Sequence, residues 1–116
     1  MSQDWIHMYF VVNSSLDMGK GKIAGQVGHT TEKLIRRLEK NPTKNYSAWR
    51  TSGNAKIVLK AKEGDLEDLI KKYDKICEYV IDAGKTQITA NSLTVVGFIP
   101  LTSEEVPPEI KKMKLM

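Results

Sequence analysis

Apolar and polar positions along the chain fall into stretches of different period, and the changes of period mark its elements. Residues 5–12 (WIHMYFVV) are a nearly unbroken aromatic and β-branched run ending at Asn13-Ser14-Ser15, which predicts a buried strand followed by a turn. From 22 to 40 the spacing becomes helical: Ile23, Val27, Leu34 and Leu38 share one stripe, with Ala24, Thr31 and Ile35 beside it. Asn41-Pro42 ends this helix, and residues 43–50 read as a short second helix that turns Tyr46 and Trp49 inward.

Residues 56–61 alternate, with Lys56, Val58 and Lys60 against Ile57, Leu59 and Ala61, the pattern of a half-exposed strand. A helix is expected over 65–77, with Leu66, Leu69, Ile70, Tyr73, Ile76 and Cys77 facing the core and Asp65 and Asp68 near its start, where carboxylates are favoured. Residues 79–81 and 93–99 read as strands three and four, joined by a loop over 84–91, and Pro107-Pro108 breaks the tail. Helical connections permit parallel pairing, while the last link looks like a hairpin. The expected fold is therefore a three-layer α/β domain with a mixed sheet.

At 116 residues the chain suits one domain over 1–116. A single cysteine, Cys77, excludes an internal disulfide framework and any zinc site built on cysteine pairs. The apolar run Met8 to Val12 is far shorter than the roughly 18 residues of a membrane span. A soluble, cytoplasmic protein with no membrane partner is expected. Charge is unevenly placed: residues 20–62 hold 11 Lys/Arg against Glu32 and Glu39, a surplus of +9. Residues 63–82 reverse this with seven acids against three lysines. The basic block points to a polyanionic partner, nucleic acid first, or else to a solvated helix face.

Two stretches carry candidate chemistry. In Asp17-Met18-Gly19-Lys20-Gly21-Lys22, between the first strand and the first long helix, glycines admit a ligand to the backbone. The helix start offers unpaired N–H groups, and two lysines add charge. That suits a phosphate or a developing oxyanion, or it is a glycine-rich turn with solvated lysines. It is not a Walker loop, since the first glycine would fall at Leu16 and Ile23 follows Lys22. In Asp82-Ala83-Gly84-Lys85-Thr86-Gln87, followed by Thr94, an acid at a strand end precedes hydroxyl and amide groups able to orient water; the plain alternative is a turn aspartate. His29 follows Gln26 by about one turn, so both can border one pocket. Two histidines 22 positions apart and one cysteine give a transition metal little to bind, so no metal and no cofactor are expected. Ser14 or Ser15 with His29 and Asp82 lacks nucleophile-elbow spacing.

Phe10-Val11-Val12 and the run from Leu16 through Lys22-Ile23-Ala24-Gly25-Gln26-Val27-Gly28 to His29 resemble the opening signature of the archaeal and eukaryotic type of peptidyl-tRNA hydrolase. Residues 49–61, Ile81-Asp82-Ala83-Gly84-Lys85-Thr86-Gln87-Ile88 and Leu93-Thr94-Val95-Val96-Gly97 are similar to its later blocks, in the same order. The resemblance implies a mixed four-stranded sheet with helices on both faces. It also implies a homodimer that cleaves the ester joining peptide to tRNA and so recycles tRNA from peptidyl-tRNA. The catalytic set it implies is Lys22, Asp82, Thr86 and Thr94, with Gln26 and His29 nearby. Asn13 departs from the pattern, standing where arginine is usual, and Thr30 stands where alanine is usual.

On that basis Lys22 is expected to stabilise an oxyanion and Asp82 to orient or activate water, or to hold Lys22. Thr86 and Thr94 would position the water or the terminal ribose. Lys20, Gln26, His29, Arg36, Arg37 and Lys44 are expected to contact substrate. The competing expectation is an RNA-binding module that uses the 20–62 segment and catalyses nothing.

Overall fold

The first strand, β1 (Ile6–Asn13), lies inside the sheet, which explains its two-sided apolar run. Met8, Phe10, Val11 and Val12 are all fully buried. The computed structural model describes residues 5–83 and 91–116. From β1 the chain crosses through α1 (Lys20–Lys40) and α2 (Tyr46–Thr51) to β2 (Lys56–Ala61), which pairs with β1 in parallel. It continues through α3 (Glu63–Lys72) to β3 (Cys77–Asp82), then to β4 (Ser92–Phe98), which pairs antiparallel with both β3 and β1. After β5 (Leu101–Thr102) and α4 (Pro108–Lys111), the chain ends in β6 (Lys114–Leu115). The strand order is β3-β4-β1-β2-β6, with β5 paired to β1.

Helices cover both faces. Against one face α1 sits close, because Gly97 of β4 carries no side chain: a Cβ there would lie 2.6 Å from Thr30 Cγ2 and 2.9 Å from the Phe10 ring. Against the other, Tyr73 after α3 meets Phe98 edge-on at 6.0 Å, and Asn13 donates to Glu63 at 3.0 Å. The close seating of α1 brings its polar side chains within bonding reach of β3 and β4. No helix among the described residues is long and apolar enough to cross a membrane.

Several expectations are corrected. The sheet has six strands, not four. The two additional strands, β5 and β6, are two residues long, too short to show any alternation in sequence. The helix expected over 65–77 stops at Lys72, and Cys77 opens β3; the turn Ile76 N–H to Tyr73 O at 2.9 Å happens to preserve the inward spacing. Trp5 is 74% exposed and lies outside the strand. Pro108 starts α4 instead of only breaking the tail, at a first-turn position where a missing N–H costs nothing. On α1 the buried residues are Gln26, Thr30, Leu34 and Leu38, while Ile23 and Val27 are only partly covered.

Candidate active site

Helix α1 starts against local preference. Its N-cap Gly19 has an extended backbone and no side-chain cap bond, and the first turn holds no acid but has Lys20 and Lys22 instead. Two cations at the positive end of a helix oppose its macrodipole. The first intrahelical bond here runs from Ile23 N–H to Gly19 O at 3.0 Å, so the N–H groups of Lys20, Gly21 and Lys22 have no intrahelical acceptor. Positive potential is thus concentrated at one point, where local stability alone would place a carboxylate.

The carboxylate arrives from 60 positions away. Lys22 Nζ donates to Asp82 Oδ1 at 2.5 Å, with the two side chains 12% and 10% exposed. Asp82 is the last residue of β3, and its carbonyl accepts from Asn91 N–H at 2.7 Å, tying the two ends of the β3–β4 connection together. Next to it the β3–β4 register passes from Val80↔Val95 to Ile81↔Leu93, leaving Thr94 without a partner opposite. Such a bulge re-aims a side chain. Thr94 turns toward α1, where its hydroxyl accepts from Gln26 Nε2 at 2.9 Å and donates to Val80 O at 3.1 Å. Gln26 sits one turn after Lys22, and Thr30 donates to Gln26 O at 2.8 Å. All three of Gln26, Thr30 and Thr94 are buried. Lys22 and Gln26, four apart on one helix face, therefore bond to Asp82 and Thr94 on two neighbouring strands.

The remaining candidates lie as follows. Thr86 is outside the described residues. Lys20 is exposed in the first turn of α1, and His29 is exposed on the helical face that carries Lys22 and Gln26. Arg36 is 78% exposed and reaches Glu32 at 3.5 Å, and Lys44, also exposed, reaches Glu105 at 3.0 Å. Arg37 is spent inside the protein: only 29% exposed, it donates to Cys77 O at 3.1 Å, to Glu78 Oε2 at 3.0 Å and to Lys75 O. Lys33 likewise donates to Tyr79 O at 2.7 Å. Among the described residues no group of three His, Cys, Asp or Glu is placed to hold a metal.

Sequence reasoning gave Asn13 only the place of a missing charge. It is a fully buried clasp at the end of β1, donating to Leu93 O at 2.9 Å and to Glu63, and accepting from Ser15 N–H at 2.9 Å. Its side chain points to the α3 face, away from Lys22. The Asn-Ser-Ser run carried the signal, since an asparagine that accepts from the N–H two residues on is a recurrent turn. Burial pushes the Cys77 thiol up to about 11, with the Glu78 charge adding to the effect, as suits an inert core residue.

The family model described as "Peptidyl-tRNA hydrolase PTH2" matches residues 6–116. A peptidyl-tRNA hydrolase of Methanococcus maripaludis is 34% identical over 110 residues, covering 91% of this chain and 95% of its own. One from Sulfolobus acidocaldarius is 35% identical over 120 residues, covering 94% and 98%. A probable peptidyl-tRNA hydrolase 2 of Caenorhabditis elegans is 42% identical over 115 residues, covering 94% of this chain and 36% of its own. With a match running from the start of β1 to the end of β6, the chain belongs to the PTH2 family of peptidyl-tRNA hydrolases.

Proposed function

We propose that the protein hydrolyses the ester between a peptide, or an N-blocked amino acid, and the terminal ribose of tRNA, and that the Lys22–Asp82 pair at the start of α1 is the centre of that chemistry. The observation that carries this is the pairing itself. A lysine set against the dipole of its own helix is held in place by a carboxylate at the end of a strand 60 residues away. An ester carbonyl attacked by water gathers negative charge on its oxygen, and the Lys22 ammonium and first-turn N–H groups supply fixed positive charge for it. Asp82 holds Lys22 and orients the water. Collapse of the tetrahedral adduct breaks the bond to the ribose oxygen, which takes up a proton originating from the water. Thr94, buried with its hydroxyl engaged on both sides, acts through Gln26 as a positioning residue, and Thr86 is assigned to the same site by its motif.

Lys20, His29 and Arg36 are the exposed groups that the reading assigns to tRNA, with Lys44 further along the same basic block. By resemblance the protein works in the cytoplasm as a homodimer, recycling tRNA. The test is incubation with an N-acetylaminoacyl-tRNA, scored for free tRNA, with Lys22→Ala alongside. Release by the wild type and its loss in the variant are expected. Binding without release would leave an RNA-binding module in place of an enzyme.

A further inference from the structure

Over its first half α1 is polarity-inverted. A helix on a sheet ordinarily buries its apolar stripe, but here Gln26 and Thr30 are buried while Ile23 and Val27 are only partly covered and Ala24 is exposed. These three residues, with Met18, Val58 and Met116, line an open cavity of about 600 Å³ that Gly19 and Lys20 border. That volume falls within the range of about 300–1,000 Å³ typical of small-ligand sites, and an uncovered apolar recess is the usual form of one. Residues 20, 23, 24 and 27 lie roughly 130° around the helix from Lys22 and Gln26 at 3.6 residues per turn. The recess and the Lys22–Asp82 pair therefore flank the same first turn.

We infer that this recess takes the apolar side chain of the amino acid esterified to the tRNA, so that the enzyme favours peptidyl-tRNA whose last residue is bulky and apolar. The inference rests on the hydrolase reading above. Gly19 and Lys20 connect the two flanks: a carbonyl held at the first-turn N–H groups has its ribose arm toward Asp82 and its acyl arm toward Ile23 and Val27. Lys20 supplies the one charged side chain on the lining and the remaining side chains are apolar, so the recess matches a neutral apolar group.

The experiment uses one tRNA acylated with either N-acetylglycine or N-acetylphenylalanine. Wild-type kcat/KM is expected to favour the phenylalanyl ester about ten-fold. Ala24→Glu, at an exposed helix position, and Val27→Glu should each bring that ratio close to one. Both esters share the tRNA, so any effect of the new charge on tRNA binding divides out. A wild-type ratio near one, or a ratio kept in both folded variants, overturns the inference while leaving the hydrolase reading intact. A kept ratio together with a dimer that dissociates on sedimentation would assign the recess to a second copy of the chain. If the wild type cleaves neither ester, both readings fall.

Discussion

The sharpest test of the site is a double-mutant cycle on Lys22 and Asp82 with Lys22→Met, Asp82→Asn and the two together. Removing one partner of a buried ion pair costs about 3–5 kcal/mol; with a tenth of each side chain still in water, the low end applies. The two singles should differ. Asp82→Asn strands a cation at the positive end of α1 beside Lys20, whereas Lys22→Met leaves a carboxylate where the dipole favours one, a difference of about 1 kcal/mol. The expected losses are about 3 kcal/mol for Asp82→Asn, about 2 for Lys22→Met and about 2 for the double variant, a coupling of about 3. Urea melts at constant slope measure these values. Turnover on N-acetylaminoacyl-tRNA should fall by about two orders of magnitude or more in all three, since the double variant regains stability relative to Asp82→Asn without regaining an oxyanion partner. The reasoning fails if Lys22→Met proves the more destabilising single, if the coupling is under about 0.5 kcal/mol, or if the double variant recovers activity.

Gln26→Leu strips Thr94 of its donor and should cost about 1–2 kcal/mol with roughly a ten-fold loss of turnover, smaller than that of Asp82→Asn; equal losses would place Gln26 in the chemistry itself. Burial raises the Glu105 carboxyl, but the Thr102 N–H at 2.8 Å, Lys44 at 3.0 Å and Asn45 at 2.7 Å outweigh it and hold it at about 2. Its contribution to stability is therefore complete above its unfolded value of 4.5 and is lost as pH falls from there through about 2, so Glu105→Gln should flatten the stability curve over that window. Glu109, held at about 2 by Lys72 and Tyr73, supplies dependence of the same sign, and an unchanged curve in Glu105→Gln would refute the assignment. Arg36→Glu should raise KM for tRNA and reduce its log–log salt slope by roughly one unit, while Arg37→Ala should lower stability and leave the slope alone; the reverse pattern would mean that Arg37 faces the RNA.

The strands β1, β2 and β4 could be read from the chain because each is a run of β-branched residues long enough to show its period, bounded by turn residues. The onset of β3 could not, because Ile76 and Cys77 continue by coincidence the spacing of Leu66, Leu69 and Tyr73. The buried face in the first half of α1 is hidden for a related reason: periodicity ranks positions by hydrophobicity, so it cannot see that Gln26 and Thr30 are buried against a bulged threonine and a bare glycine. At the site, sequence spacing singled out the lysine and the aspartate as two local motifs. That they form one ion pair depends on α1 packing across β4 to reach β3, a fact of tertiary structure. The place of Arg37 was hidden in the same way, since a cation in a basic block reads alike whether it faces solvent or a neighbouring strand.

That use of Arg37, together with Lys33, bears on how the protein behaves at high concentration. β3 is the outermost strand, and a bare outer strand offers a row of carbonyl groups on which another chain can grow a sheet. Here the carbonyls of Lys75, Cys77 and Tyr79 are already occupied by two cations from α1, so an incoming strand would have to displace charged side chains and meet their mutual repulsion. At the opposite end the sheet tapers to the two residues of β6, too few to template a neighbour. The helix that carries Lys22 thus also shields the sheet from fibrous self-association, and a substitution made at Arg37 to probe RNA contact would carry a solubility cost unrelated to tRNA.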